Sequence, residues 1–152
     1  MNVIKVTAIG GEPRGESIRK VMTPEPITVA LTATLEQAAR RMRDAGIGNV
    51  VVLDGEKIMG ILTDRDIVVR AVAEGLDPAT TPVSEVASQE LTTLAPDDSI
   101  DEAVALMRER SIRRLPVVER GRPIGIVSLG DLALERDPDS CLSDISAAPP
   151  NA

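Results

Sequence analysis

Residues 21–70 read VMTPEPITVALTATLEQAARRMRDAGIGNVVVLDGEKIMGILTDRDIVVR, and residues 86–135 read VASQELTTLAPDDSIDEAVALMRERSIRRLPVVERGRPIGIVSLGDLALE. The second stretch repeats the pattern of the first without a gap, 65 positions later, so that Gly60 and Asp66 return as Gly125 and Asp131. A duplication of this length indicates two copies of one structural unit. Because units of roughly 55 residues bury too little surface to be stable alone, we expect the copies to pack on each other about a pseudo-twofold axis. The groove between them would then offer two similar sites that are not identical.

Each repeat shows the same order of predicted elements. Thr34 and Ser99 stand before amphipathic patterns, and the pairs Thr34-x-x-Gln37 and Ser99-x-x-Glu102 are typical of the capping box that begins a helix. The expected elements are strands at 27–29, 49–53, 58–63, 115–118 and 124–128, and second helices at about 64–73 and 129–136. The chain is therefore predicted to be α/β, with two tandem β-α-β-β-α repeats whose small mixed sheets are covered by helices.

Turn-forming and polar stretches set the expected boundaries. We predict an N-terminal arm at 1–16, a first repeat at 17–75, a linker at 76–85, a second repeat at 86–136 and a disordered tail at 137–152. The tail is predicted from its Ser, Asp and Pro content, which is typical of chain that does not fold.

The amino acids that are missing exclude several functions. The chain has no Phe, Tyr, Trp or His, and its formal net charge is −7. Without aromatic rings to stack on bases, and with a charge that repels a polyanion, nucleic-acid binding is not expected. Without His, the Ser-His-Asp and Cys-His catalytic arrangements and His-based metal sites are excluded as well.

The sequence also predicts a cytoplasmic location. Cys141 is the single cysteine and cannot form an intramolecular disulfide, which suits a reducing compartment. No apolar run approaches the roughly 18 residues that span a membrane, and the N-terminus lacks the basic and apolar segments of a signal peptide. We therefore expect a protein without a membrane partner.

Two heptapeptides at equivalent positions are the candidate sites. Gly-Ile-Leu-Thr-Asp-Arg-Asp at 60–66 and Gly-Ile-Val-Ser-Leu-Gly-Asp at 125–131 each lead from a strand into a helix. A hydroxyl followed three residues later by a carboxylate is close to a capping box, so these side chains could serve only to begin the helix. A helix start also suits a phosphate, and a carboxylate can accept hydrogen bonds from both hydroxyls of a ribose. Because a carboxylate has about four acceptor sites, the two roles are compatible.

The duplicated pattern resembles the CBS-domain pair, also called a Bateman module. The resemblance covers about residues 17–136, and Val21-Met-Thr-Pro24, Leu115-Pro-Val-Val118 and both heptapeptides are close to the usual family motifs. It implies a regulatory module rather than an enzyme, with no catalytic residue, no metal and no obligatory cofactor. The implied ligand is an adenine nucleotide such as AMP, ADP or ATP, or S-adenosylmethionine, bound in clefts between the repeats. The implied partners are a second copy of the chain, in a homodimer, and an unknown downstream protein.

The resemblance also assigns residues to the ligand sites. Asp66 and Asp131 would hold ribose hydroxyls, and Thr63 and Ser128 would lie near the phosphate or ribose. Aliphatic side chains can enclose a purine without aromatic rings. The implied base-flanking positions are Ile27 and Thr92, and the implied apolar wall contains Ile47 and Ile112.

The two repeats differ where a phosphate needs positive charge. The second repeat has Arg113 and Arg114, whereas the first has Gly48 and Asn49 at the same positions. Arg65 stands in the first turn of a helix, where the dipole disfavours a cation, and this favours a role with an anion. We therefore expect unequal clefts, with at most one strong nucleotide site per chain.

Two other functions remain open on the sequence. A ligand-independent dimeric scaffold would use the motif residues only as helix caps. An enzyme would use Asp64 and Asp66 to hold Mg²⁺ beside a nucleotide, although the sequence contains no other group that looks like an activated nucleophile or base.

Overall fold

The computed structural model of this chain describes residues 3–4, 16–88 and 90–149. The strands are Val3–Ile4 (β1), Thr23–Pro24 (β2), Thr28–Ala30 (β3), Asn49–Asp54 (β4), Lys57–Thr63 (β5), Leu91–Thr92 (β6), Arg114–Glu119 (β7) and Arg122–Ser128 (β8). The helices are Ile18–Val21 (α1), Leu35–Ala45 (α2), Asp64–Asp66 (α3, continued by a π-helix at Ile67–Val72), Ile100–Arg110 (α4), Leu129–Arg136 (α5) and Cys141–Ala147 (α6), and Val83–Glu85 form a 3₁₀ turn. The predicted α/β class and the repeated order of strand, helix, two strands and helix are confirmed.

The chain divides into two compact units. The first contains Val3–Ile4 and Pro26–Leu91, and the second contains residues 16–25 and 92–149. In the first unit, β3 runs parallel to β4, and β4 pairs antiparallel with β5 through a hairpin that turns at Gly55. The buried face of this mixed sheet packs against α2, whose apolar residues recur at the predicted helical spacing. The centre of the first core contains Leu35, Ala38, Val50, Leu62 and Val83.

The second unit has a different sheet. The strand order is β2-β8-β7, and all of these pairs are antiparallel. Where β3 lies beside β4 in the first unit, the described residues of the second unit have only a parallel bridge between Leu94 and Val117. The cause lies in Pro116, which has no N–H, whereas its counterpart Val51 donates one to the carbonyl of Ile27 at 2.9 Å.

The first helix of each repeat begins where the sequence predicts. The Thr34 hydroxyl accepts a hydrogen bond from the Gln37 backbone N–H, and the Gln37 side chain accepts one from the Thr34 N–H. Ser99 and Glu102 repeat this arrangement at the start of α4. Both capping boxes are therefore confirmed, and they satisfy backbone donors that a helix start leaves without partners.

The segment that leads each repeat pairs with the hairpin of the other repeat. Thr23, from the start of the first repeat, pairs with Ile126 in the second unit. Ser88, its counterpart 65 positions later, forms an antiparallel bridge to Ile61 in the first unit. The compact units therefore do not share their boundaries with the sequence repeats, and the repeat boundaries at 17–75 and 86–136 remain a prediction.

The stretch at 76–85, which was expected to be a linker, packs within the first unit. The backbone N–H of Leu35 donates to the carbonyl of Thr81 at 3.0 Å, and Val83 is fully buried. These residues therefore contribute to the first core as well as joining the repeats.

The prediction of a disordered tail from residue 137 is wrong for Cys141–Ala147, which form α6. Ser140 caps this helix by accepting a hydrogen bond from the Ser143 N–H, and the Ser143 side chain is 1% exposed. A polar composition suggested disorder, but small side chains allow a helix to approach a neighbour closely. The predicted arm at 1–16 lies outside the described residues except for Val3–Ile4 and Glu16.

Candidate functional site

The two candidate turns have the same local geometry. In the first repeat, the Thr63 Oγ1 accepts a hydrogen bond from the Asp66 N–H at 3.1 Å, and the Asp66 Oδ2 accepts one from the Thr63 N–H at 2.9 Å. In the second, Ser128 and Asp131 make the same two bonds at 3.1 and 2.8 Å. The capping role that the sequence allowed is therefore present in both repeats.

Capping leaves acceptor sites unused on the carboxylates of both Asp66 and Asp131. Each capping bond uses Oδ2, and a carboxylate has about four acceptor sites in total. The Oδ1 of Asp66 lies 3.9 Å from the Nε of Arg70, whose Nη1 donates to the carbonyl of Val86 at 3.3 Å. The Asp66 side chain is only 15% exposed. This carboxylate is thus held in one orientation by the cap and by a neighbouring guanidinium.

The predicted residues of the first repeat lie at one end of one sheet. Thr63 ends β5 directly opposite Asn49, the first residue of β4. Ile27 immediately precedes β3, which runs parallel to β4, and Ile47 lies two residues before β4. Ile27 and Ile47 are 36% and 37% exposed, so this end of the sheet has apolar side chains open to solvent.

The second repeat brings basic residues to the equivalent place. Arg114 begins β7 directly opposite Ser128, and the carbonyl of Arg113 accepts a hydrogen bond from the Leu129 N–H at 2.9 Å. Both Arg side chains are exposed. Ile112 and Arg113 also line a pocket of about 400 Å³, together with Val104, Met107 and Leu129. The predicted cationic residues are therefore next to the turn whose hydroxyl and carboxylate they were expected to assist.

The first repeat places a carboxylate beside Gly48, the position at which the second repeat has Arg113. A Cβ added to Gly48 would lie 2.7 Å from the Oδ2 of Asp64, so this side chain occupies the space beside Gly48. The Asp64 Oδ1 also accepts a hydrogen bond from the Arg65 N–H at 2.8 Å. The counterparts of Gly48 and Asp64 are Arg113 and Leu129.

The contact between Asp64 and Gly48 was not predicted from the sequence. Asp64 was interpreted as part of a charged helix start or, with Asp66, as a ligand for Mg²⁺. The sequence signal was Gly48, which aligns with Arg113 of the second repeat. A glycine commonly marks a position that another group approaches closely.

Arg65 and Thr92 complete the set of predicted residues. Arg65 is exposed and belongs to the first turn of α3. Thr92 is partly buried in β6. Its carbonyl accepts no hydrogen bond from Pro116, because proline lacks an N–H. The carbonyl of Ile27, by contrast, accepts one from the Val51 N–H.

Within the described part of the chain, no three His, Cys, Asp or Glu side chains are grouped to hold a metal ion. Over the same residues, none of the helices combines the length and apolar character that crossing a membrane requires.

Comparison with known proteins identifies relatives along most of the chain. The family model of the CBS domain matches residues 18–72 and 83–136. The CBS domain-containing protein YhcV from Bacillus subtilis is 42% identical over 120 residues, which are 79% of this chain and 85% of that protein.

Two solved structures share the fold over a similar length. The crystal structure of Hypoxic Response Protein I with two coordinated zinc ions has a TM-score of 0.72 and 36% identity, over 79% of this chain and 98% of that one. The protein of this name in the curated relatives comes from Mycobacterium tuberculosis. A protein with CBS domains from Burkholderia ambifaria MC40-6 has a TM-score of 0.74 and 31% identity, over 82% of this chain and 96% of that one.

Proposed function

Since this chain belongs to the CBS-domain family, as its sequence motifs predicted, we propose that it senses an adenine nucleotide and signals through a partner protein or its own oligomeric state. CBS pairs of this kind are regulatory modules rather than catalysts. The observation that carries the proposal is the pair of capped turns. Each turn fixes a carboxylate that keeps unused acceptor capacity beside a helix start. We further propose a cytoplasmic location, because the single cysteine suits a reducing compartment.

Each predicted residue has a role in the proposed sites. The carboxylates of Asp66 and Asp131 accept hydrogen bonds from ribose hydroxyls, while the hydroxyl side chains at 63 and 128 contact the phosphate or ribose. Ile27 and Thr92 contact the base, and Ile47 and Ile112 form the apolar wall of the site. The residues that contact the phosphate are Arg65, Arg113 and Arg114.

We propose that the second repeat provides the stronger nucleotide site. Arg113 and Arg114 lie beside Ser128 and supply positive charge to a phosphate. In the first repeat, the Asp64 carboxylate lies beside Gly48, the counterpart of Arg113, and repels an anion. A titration that finds two nucleotides bound per chain with equal affinity would contradict this asymmetry.

A dye-based thermal-shift panel with AMP, ADP, ATP, S-adenosylmethionine and NAD tests the proposal. The dye is needed because the chain has no Trp or Tyr to report unfolding. A ligand at a hundred times its dissociation constant adds about 2.7 kcal/mol per site, which is readily seen as a higher midpoint. We expect one adenine ligand to shift the midpoint and Asp131→Ala to abolish most of that shift.

Glu102→Ala is the matched control for Asp131→Ala. Both substitutions remove the carboxylate of a capping box in the second unit, but only Asp131 belongs to the proposed site. Equal ligand shifts in the two variants would show that Asp131 serves as a cap alone.

The competing proposal is a ligand-independent dimeric scaffold. The completeness of both capping boxes favours it, because a turn whose cap is already complete needs no ligand to explain its geometry. Absence of a shift with every ligand in the panel would support the scaffold over the sensor.

A further inference from the structure

Helix α6 lies on the first turn of α5, which contains the candidate site of the second repeat. A Cβ added to Gly130 would lie 2.7 Å from the Oγ and 3.0 Å from the Cβ of Ser146. The same point is 3.6 Å from the Oγ of Ser128. Gly130 stands between the two site residues Ser128 and Asp131, so a residue of α6 lies close to the candidate hydroxyl.

The first repeat has a full side chain at the equivalent position. The counterpart of Gly130 is Arg65, whose side chain is exposed. Glycine is unfavourable in a helix because it loses more backbone conformational entropy on folding than other residues do. Its presence at 130 is explained by the approach of Ser146, which leaves no room for a side chain. The second repeat has therefore exchanged a side chain at this position for contact with α6.

The two faces of α6 are reversed relative to an ordinary surface helix. Ser146 lies against Gly130 of α5, and Ser143 is 1% exposed. Leu142 and Ile145, by contrast, are 42% and 67% exposed. An amphipathic helix normally buries its apolar face. Because the packed face of α6 offers little apolar surface, the hydrophobic contribution that holds this helix on α5 is small.

We propose that α6 is a removable cover of the second candidate site, so that docking of α6 and binding of a nucleotide at Ser128 and Asp131 compete. This inference rests on the proposed function. An element with few buried apolar contacts belongs to the part of a structure that opens most easily. A ligand that binds only the open form shifts the equilibrium towards release of α6. Release then moves Leu142 and Ile145, so nucleotide binding at the second site changes the position of exposed apolar side chains.

Ser146→Leu tests the cover from the side of α6. The larger side chain cannot fit beside Gly130, so α6 should detach while Ser128, Asp131 and both arginines stay unchanged. Ala147→Leu is the matched control, because it adds the same side chain at the next residue, which is exposed. Gly130→Ala tests the same contact from the side of α5, and Gly130→Ala combined with Ser146→Gly should restore docking.

Docking can be measured without any ligand. Cys141 is the single cysteine, is exposed and is the first residue of α6, so an environment-sensitive fluorophore attached there reports on this helix alone. We expect Ser146→Leu and Gly130→Ala to change the emission and Ala147→Leu to leave it as in the wild type. The same emission in wild type and Ser146→Leu would show that α6 is not docked on Gly130, and the proposal would fail.

Calorimetric titration of the unlabelled variants with AMP, ATP and S-adenosylmethionine supplies the second readout. If α6 is docked about nine-tenths of the time, its release tightens the apparent affinity about 10-fold. We expect this gain in Ser146→Leu but not in Ala147→Leu, and we expect Asp131→Ala to remove it.

The outcomes separate the cover from the sensor. Equal affinities in Ser146→Leu and Ala147→Leu, with α6 shown to be released in the former, would overturn the cover and leave the proposed function standing. Absence of binding in every variant would overturn both.

Discussion

At the scale of single residues, the roles of Asp66 and Asp131 can be tested with the ligand. If these carboxylates accept hydrogen bonds from both ribose hydroxyls, loss of one hydroxyl leaves a buried acceptor unpaired. We expect 2′-deoxy-AMP to bind more weakly than AMP by about 1–3 kcal/mol. Competitive titration against a fluorescent adenine nucleotide measures this difference directly. Equal affinities for the two nucleotides would remove the ribose role and leave the carboxylates as caps.

A second residue-scale prediction concerns the pH dependence of stability. Burial raises the pKa of the Asp98 carboxyl above its ordinary value of 3.8, and the nearby carboxylates of Glu102 and Asp97 raise this pKa further. The hydrogen bond from the Ala95 N–H, at 2.8 Å, acts in the opposite direction. A raised pKa means that the folded chain binds this proton more tightly than the unfolded chain does. The free energy of unfolding therefore falls as the pH rises from 3.8 through the raised pKa, because Asp98 must ionise in the folded protein over this range.

Asp98→Asn should remove that dependence, because the amide oxygen can still accept from Ala95 but does not titrate. We expect the variant to be at least as stable as the wild type at neutral pH and to lose this advantage in acid. Urea denaturation followed by circular dichroism, at several values between about pH 3.5 and 7, measures the difference. Asp54→Asn, which changes an exposed carboxylate in the first unit, serves as the control. A variant less stable than wild type at neutral pH would contradict the assignment.

The residues also show how far the sequence predicted the site. The pairs of Thr63 with Asp66 and Ser128 with Asp131 were identified, because a capping pattern depends only on local spacing. The carboxylate of Asp64 beside Gly48 was not, because the orientation of a side chain depends on the strand that precedes its helix. Whether these groups bind a ligand stays a prediction, since a cap and a ribose site use the same atoms.

At the scale of the elements, the packing explains why each heptapeptide begins with a glycine. A Cβ at Gly60 would lie 2.6 Å from the backbone oxygen of Ser88, and one at Gly125 would lie 3.0 Å from that of Thr23. Both glycines therefore leave room for the segment that leads the other repeat. A repeat-by-repeat comparison of the sequence shows that a glycine recurs there, but not which backbone approaches it.

Gly60→Ala should destabilise the protein by about 1–3 kcal/mol, the usual cost of forcing atoms into a packed site. The contacted atom belongs to the backbone, which cannot rotate away. Gly48→Ala is the matched control, because its new Cβ would meet the end of the Asp64 side chain at 2.7 Å, and that side chain can move. Urea denaturation followed by circular dichroism should show the larger loss for Gly60→Ala. An equal loss in both variants would contradict the proposed close approach.

Other elements show where periodicity succeeds and where it fails. The hairpin strands were predicted to within two residues at each end, because β-branched runs separated by a turn are a strong local signal. The second helix of the first repeat was expected at about 64–73, yet only Asp64–Asp66 are α-helical and Ile67–Val72 are a π-helix. Apolar spacing does not determine which carbonyl accepts each backbone hydrogen bond. Helix α6 was missed because its packed face is made of serines, which carry no apolar periodicity.

At the scale of the whole molecule, exposed valines support the proposed homodimer. Val68, Val69 and Val72 of the π-helix are 58%, 46% and 63% exposed, which is unusual for adjacent apolar residues. We expect Val72→Asp to change the mass in solution from twice 16.1 kDa to 16.1 kDa, because a buried unpaired charge is costly. Sedimentation equilibrium measures this mass. Ile145→Asp, at another exposed apolar position, should leave the dimer intact, and a monomeric wild type would contradict the prediction.

The exchange of leading segments makes a further prediction about the whole chain. A fragment of residues 17–75 lacks Val83 and Val86, which are 0% and 1% exposed in the core of the first unit. A fragment of residues 76–152 lacks Ile18, which is 0% exposed in the core of the second. Loss of a fully buried side chain of this size typically costs 2–5 kcal/mol even when only a methyl group replaces it. Each fragment also lacks the segment that pairs with its remaining hairpin.

We therefore expect both fragments to be unfolded alone, although each contains one complete sequence repeat. Mixing them should restore the circular dichroism spectrum of the intact chain, because together they supply both cores. Ile18→Ala in the first fragment is a suitable control, since it should weaken the recovery. An independently folded fragment of residues 17–75 would show that the sequence repeats, rather than the compact units, are the units of folding.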